Sequence, residues 1–239
     1  DGSRMNIIIP PLALNGPTIT IRKFSKEIST TEHLLKLEVM DRRMADFLIA
    51  CMKAKINVVF SGPTGAGKTT NLNVFSTYIN PDERIITIED TAELRLIQDN
   101  VVRLEAKPAN IEGKGAITIG ELFRNSLRMR PDRIIIGEIR GVEALDMLQA
   151  ICSGHMGSLS IIHTNSPQDI VYRIEMMILT SGIPISLDAI HRQIAAAINL
   201  IVHQEQLVDG SRKITHITQV CGLKDGNVRL DDHFLFALI

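Results

Sequence analysis

Asn57-Val58-Val59-Phe60-Ser61-Gly62-Pro63-Thr64-Gly65-Ala66-Gly67-Lys68-Thr69-Thr70 joins an apolar, strand-length run to a stretch able to continue as a helix, and residues 62–69 complete the pattern GxxxxGK[ST]. Gly65 and Gly67 accept positive φ, so successive backbone N–H groups can converge on phosphate oxygens. The helix that follows adds the positive end of its dipole. The stretch therefore predicts a nucleoside-triphosphate cradle made by Gly62, Pro63, Thr64, Gly65, Ala66, Gly67, Lys68, Thr69 and Thr70. Lys68 brings a point charge to the β and γ oxygens, and the Thr69 hydroxyl is placed to ligate Mg²⁺.

Outward from that loop, apolar runs near 57–61, 85–89, 101–104, 133–137 and 158–163 alternate with helical patterns over 68–79, 118–129, 142–152, 167–181 and 187–197. Such alternation predicts an α/β core around a mostly parallel central sheet. The tail differs: Leu200–Val202, Lys213–Val220 and Val228–Leu230 are separated by Asp209-Gly210 and Asp225-Gly226-Asn227, which predicts antiparallel C-terminal hairpins. At the other end, residues 4–9 and 17–24 flank Pro10-Pro11 and Asn15-Gly16 and predict a short N-terminal β hairpin. Too small to stand as a sheet of its own, it reads as the tail of a larger N-terminal domain. A helix capped at Thr30 or Thr31 is expected to run to about Lys55, and Pro108–Gly115 to form an exposed, mobile loop.

The 239 residues fit one full domain with a small appendage. Lysine and arginine number 26 against 27 acidic residues, so no global cationic field gathers nucleic acid or anionic lipid. Aromatics at 4%, with no Trp, argue against base-stacking platforms. Cys51, Cys152 and Cys221 are odd in number and lack CxxC spacing, which fits a reducing compartment and small core residues rather than disulfides. No apolar run has the length needed to span a bilayer, which reads as a soluble chain.

Hydrolysis at such a cradle needs a carboxylate on a second strand beside the loop strand. Arg133-Ile134-Ile135-Ile136-Gly137-Glu138 supplies one, and Glu138 is the first candidate to polarise the attacking water, directly or through Mg²⁺. Another acidic cluster, Glu89-Asp90-Thr91-Ala92-Glu93, closes the strand before it. Because ligands collect at the carboxyl ends of such strands, Glu89 and Glu93 can approach the same phosphate. His155 and His163 flank the strand 158–162, and the one at its carboxyl end, His163, can donate to a γ-phosphate and respond to its loss. The remaining histidines read as surface or core residues. Neutralising the transferred phosphoryl also calls for arginine, for which Arg4, Arg22, Arg103, Arg128, Arg130 and Arg140 are candidates.

With these residues in place, the chain closely resembles the secretion ATPases of the type II/type IV secretion and pilus-assembly superfamily, and is most similar to the CpaF/TadA branch associated with Flp-type (tight adherence) pili. The resemblance rests on Gly62–Thr70, on the acidic box Thr87–Leu94, on the atypical Walker B stretch Leu127–Gly141, and on the His box Ser153–Gly157 through His163-Thr164-Asn165-Ser166-Pro167. Ser160 and Thr164 depart from the pattern, where Thr and Ala are usual. It implies a RecA-like P-loop NTPase core over residues 31–239, with residues 1–30 the remnant of an N-terminal domain and linker. It implies ATP and Mg²⁺, with Glu138, Glu89, Glu93, His163 and Arg140 catalytic, Thr69 and Glu138 on the metal, and Arg4 and Arg22 as phosphate contacts from the N-terminal side. It further implies a cytoplasmic homo-hexameric ring powering pilus assembly or secretion, peripheral at the inner membrane through platform proteins, without direct membrane insertion and without nucleic acid. Two other readings stay open: a RecA-like nucleic-acid translocase, and a nucleotide-gated interaction module with negligible turnover.

Overall fold

Val58–Ser61, Ile85–Glu89, Arg133–Ile136 and Leu159–Ile162 are buried at every position, which is the signature of strands covered on both faces. The computed structural model describes residues 3–23 and 30–236, with Arg4 described by its backbone alone. In chain order the elements are β1 (Arg4–Ile8), β2 (Thr18–Arg22), α1 (Thr31–Lys36), α2 (Arg42–Lys53), β3 (Val58–Ser61), α3 (Lys68–Ser76), β4 (Ile85–Glu89), β5 (Val101–Glu105), α4 (Ile119–Ser126), β6 (Arg133–Ile136), α5 (Glu143–Cys152), β7 (Leu159–Ile162), α6 (Asp169–Leu179), α7 (Leu187–Ala197), β8 (Leu200–Gln206), β9 (Arg212–Lys224) and β10 (Asn227–Leu235). β1 and β2 form the expected antiparallel hairpin, with Arg4 opposite Arg22. Phe24, assigned to that second strand from sequence, and the rest of the 24–29 linker lie outside the described residues.

The main sheet has eight strands in the order β10-β9-β8-β3-β7-β6-β4-β5. Strands β8, β3, β7, β6, β4 and β5 run parallel, and β9 and β10 extend the sheet antiparallel. Helices cover both faces. One apolar cluster gathers Ile86, Ile88, Phe123, Leu148, Ile174 and Ile194 beneath α4, α5, α6 and α7. The other gathers Leu48, Met52, Phe60, Leu72, Phe75 and Ile135 beneath α2 and α3. Each fully buried side chain of this size stabilises the fold by about 1.5–3 kcal/mol before the cost of ordering it. No helix of the described residues is long and apolar enough to cross a membrane.

Three expectations are corrected. The helix expected from Thr30 to Lys55 is two helices, because Glu38 takes φ 52° and Val39 N–H returns to the Leu34 carbonyl. The Val39 carbonyl then accepts from Ile214 N–H at 2.7 Å, a pairing with β9 that a continuous helix would forbid. Asp41 restarts the chain as an N-cap, its carboxylate accepting from Met44 N–H at 2.8 Å. Of the cysteines, Cys51 alone is buried, while Cys152 and Cys221 are exposed at the end of α5 and in β9, where the helix end and the sheet's solvent face leave them uncovered. The Glu138-bearing strand does not lie beside the loop strand: β7 is inserted between β3 and β6.

At the amino-terminal edge of the sheet, Arg133 is completely buried. Its Nε donates to Glu83 Oε2 at 2.7 Å, Nη1 to the Gly157 carbonyl at 3.2 Å and Nη2 to the Met52 carbonyl at 2.5 Å. Gly157 has φ 78°, and a Cβ there would fall 2.6 Å from Arg133 Nη1. Burial alone would raise the Glu83 carboxyl, but Arg133 and Lys55 overcome that and hold it below its usual value. A depressed carboxyl contributes stability that is present at neutral pH and lost as pH falls through the lowered value. Glu83→Ala strands a buried guanidinium and is expected to cost about 3–5 kcal/mol in denaturant unfolding. A loss below 1 kcal/mol would show that Arg133 is not held this way.

Candidate phosphate-binding site

The loop Gly62–Gly67 leaves the carboxyl end of β3 and enters α3, with Gly67 at the N-cap in the left-handed region at φ 99°. No side chain caps α3, so its first N–H groups stay available to an anion. Gly62 is needed for a tertiary reason: a Cβ there would sit 2.0 Å from the Gln204 carbonyl of β8. Gln204 also accepts from Asn71 Nδ2 of α3 at 2.8 Å, and Ser61 and His203, both fully buried, are joined at 2.8 Å between Oγ and Nδ1. The loop is thus seated on β8, and Ala66 packs beneath it with no exposure.

Lys68 is buried, and its Nζ donates to the carbonyls of Gly62 at 2.9 Å and Pro63 at 2.7 Å. Burial pushes its pKa down to about 8, with the Glu138 carboxylate partly opposing. His163, just past β7, lies between loop and acid: its Nδ1 is 3.3 Å from Lys68 Nζ and 3.4 Å from Thr64 Oγ1, and its Nε2 is 3.2 Å from Glu138 Oε1. A lysine ammonium only donates, so Nδ1 is the acceptor and Nε2–H faces the carboxylate. Glu138 Oε2 accepts from Arg140 Nη2 at 2.7 Å, and Arg140 Nη1 reaches Asp90 at 3.1 Å. Burial would raise the Glu138 carboxyl, yet His163 and Arg140 prevail and hold it at about 2.

Glu89 closes β4 with its Oε2 accepting from the N–H groups of Glu93 at 2.8 Å and Leu94 at 2.9 Å. Its Oε1 is buried without a partner, and burial raises its pKa. Glu93 stands 4.0 Å from Arg22, which approaches from the β1–β2 hairpin. Thr64, Gly65, Gly67, Lys68, Thr69, Thr70, Glu89, Glu93, Glu138, Arg140, His163 and Arg22 share the walls of one cavity of about 1020 Å³. Gly62 instead packs on β8 and Pro63 contributes its carbonyl to Lys68, while Arg4 is placed only by its backbone across from Arg22.

The other proposed arginines fall away from this cavity. Arg103 donates to the Leu94 carbonyl at 2.9 Å from the edge strand β5, and Arg128 and Arg130 precede β6 at the opposite end of the sheet. His155 packs its Nδ1 against the Ala150 carbonyl at 3.1 Å, closing the end of α5 rather than facing the loop. Sequence reasoning missed Gln204 and Arg212, because residues 200–202 read only as a hairpin arm, without their parallel pairing to β3. The signal was present: Leu200-Ile201-Val202-His203-Gln204 is an apolar run ending in polar residues, as β4 and β7 are, and β8 pairs parallel with β3.

Two outcomes follow from this geometry. Gly62→Ala, which combines φ 139° with contact on the Gln204 carbonyl, is expected to abolish anion binding at the loop, measured by titration with inorganic pyrophosphate. Because Lys68 titrates near 8 when the loop is free, pyrophosphate binding at pH 9 should draw a proton from the buffer. Calorimetry in buffers of differing ionisation enthalpy reads that uptake directly, and Lys68→Ala should remove it.

Comparison with known proteins places this arrangement. The profile of the type II/IV secretion system protein family matches residues 1–223. A "putative conjugal transfer protein" of Mycobacterium tuberculosis is 35% identical over 214 residues, covering 90% of this chain and 60% of its own length. VirB11 of Agrobacterium fabrum is 34% identical over 230 residues, covering 84% of this chain and 67% of its own. The crystal structure of the VirB11 ATPase of the Brucella suis type IV secretion system, in complex with sulphate, superposes with a TM-score of 0.67 at 28% identity, over 91% of this chain and 70% of that one. The chain thus spans about 60% of the length of the mycobacterial relative. On the extent of the profile match and the identity to these relatives, the chain belongs to the type II/IV secretion system protein family.

Proposed function

We propose that this chain binds ATP with Mg²⁺ at the loop Gly62–Thr70 and hydrolyses it, as the catalytic part of a secretion or pilus-assembly ATPase. The observation that carries the reading is the chain of contacts Lys68–His163–Glu138, which links the phosphate loop to a carboxylate across an intervening strand. The donor set suits Mg²⁺ presented by phosphate oxygens. Among the described residues no group of three or more His, Cys, Asp or Glu side chains could hold a metal unaided, while Thr69 and the partnerless buried Oε1 of Glu89 line the same cavity. Thr69 and Glu138 are the proposed protein ligands, and the ion would neutralise charge on the β and γ phosphates.

Glu138 at about 2 is a poor proton acceptor, so its proposed work is to orient the attacking water and to hold His163 and Arg140. Lys68 leaves the Gly62 and Pro63 carbonyls for phosphate oxygens, while Glu89 shapes the turn that presents Glu93. Arg22, and with it Arg4, would complete the charge from the N-terminal side. The wider assembly belongs to the same proposal: residues 1–30 as the end of an N-terminal domain, residues 31–239 as the ATPase domain, and a homo-hexameric cytoplasmic ring acting on inner-membrane platform proteins. Family membership supports a secretion-system role, and the box sequences Gly62–Thr70, Thr87–Leu94, Leu127–Gly141 and Ser153–Pro167 favour the tight-adherence pilus branch.

Phosphate release by the protein tests the reading. Lys68→Ala and Glu138→Gln are each expected to lower kcat at least a hundredfold, and unchanged turnover in both sinks the mechanism. Turnover stimulated by DNA in a salt-sensitive way would move the assignment to a translocase. ATP binding without turnover would move it to a nucleotide-gated module.

A further inference from the structure

The β8–β9 hairpin meets the phosphate loop at more points than seating Gly62 requires. Arg212, the first residue of β9, donates from Nε to the Gly65 carbonyl at 2.8 Å. Its Cδ would lie 3.3 Å from a Cβ on Gly67, where Gln204 Nε2 would lie 2.9 Å away. The turn that delivers Arg212 is itself held: Asp209 Oδ1 accepts from Ser211 N–H at 2.9 Å and Ser211 Oγ at 2.7 Å, and Leu207 N–H donates to the Ser211 carbonyl at 2.8 Å. Gly210, Ser211 and Arg212 are walls of the same cavity as Lys68 and Thr69.

A guanidinium is planar, so an anchored Nε fixes the direction of both Nη groups. Among the described residues the Nη atoms of Arg212 have no hydrogen-bond or ion-pair partner. That distinguishes it from Arg140, whose Nη groups are committed to Glu138 and Asp90. One bond thus braces the loop and leaves a forked donor at its mouth.

We propose that Arg212 is a phosphate-binding residue supplied by this chain's own C-terminal hairpin, contacting the phosphates of the bound nucleotide while bracing Gly65. The inference rests on the nucleotide reading above. Through Arg212 and Gln204, the β8–β9 hairpin is hydrogen-bonded both to the phosphate loop at Gly65 and to α3 at Asn71.

Equilibrium binding of ADP to the 239-residue chain, at several salt concentrations, separates the possibilities. Arg212→Gln is expected to weaken ADP at least tenfold and to flatten the salt dependence, as loss of a charge-assisted phosphate contact requires. Arg212→Lys should fall between Arg212→Gln and the unsubstituted chain, because it keeps the charge but not the fork. If Arg212 only braced Gly65, Lys and Gln would be equally impaired with the salt dependence intact, and the proposal fails. ADP affinity within twofold of the unsubstituted chain in Arg212→Gln overturns it as well. If the unsubstituted chain binds no ADP, the nucleotide reading itself fails and takes this inference with it.

Discussion

Everything at the site depends on how the loop leaves β3. The strand ends buried between β7 and β8, and its next residue meets the Gln204 carbonyl at a distance that only glycine tolerates. From that contact the loop has one way to go, across the carboxyl end of β8 and into α3. The Asn71–Gln204 and Ser61–His203 hydrogen bonds fix both of its ends to the same strand. A phosphate cradle made of backbone N–H groups works only if the backbone cannot relax, since a loop free to collapse would satisfy its own donors. The parallel pairing of β3 with β8 supplies that rigidity.

The second constraint is electrostatic and spans the strand inserted between β3 and β6. With β7 in between, Glu138 stands too far along the sheet to touch the loop lysine directly, and His163 at the end of β7 bridges them. Burial opposes charge at both ends: it pushes Lys68 down to about 8 and would push Glu138 up. The outcomes differ because Glu138 receives hydrogen bonds from both His163 and Arg140, while Lys68 finds only neutral partners, the Gly62 and Pro63 carbonyls and His163 Nδ1, with the Glu138 carboxylate farther off. The result is an anionic acid beside a lysine that holds its proton less firmly than usual until a phosphate approaches. Glu89 shows the same physics without a cation in contact, its buried carboxyl rising although two N–H groups hold it.

Much of this was legible in the chain. The phosphate loop declares itself, and isoleucine-rich apolar runs ending in acids or histidine predict buried parallel strands with chemistry at their carboxyl ends. What misled was local reading where tertiary bonds decide. Residues 30–55 have a helical apolar pattern, yet Val39 is drawn into pairing with Ile214 and the helix breaks around Glu38. Residues 200–206 are the hairpin arm their turns predict, antiparallel to β9, but their first half also pairs parallel with β3 in the core, which no local pattern shows. The arginines were only partly legible: Arg22 and Arg140 do line the cavity, but Arg128, Arg130, Arg133 and Arg212 look alike in sequence, and their places come from which end of the sheet they reach.

By itself, then, the sequence determined the chemistry on offer: a glycine-lysine loop, two acidic strand ends and a histidine strand end, each encoded within a few residues. Strand order belonged to the tertiary structure, because it depends on which apolar faces pack together across long separations and no local pattern encodes it. That order inserts β7 so that His163 becomes a bridge, and sets β8 beneath Gly62. It also brings Arg212, 147 residues after Gly65, to the mouth of the phosphate loop.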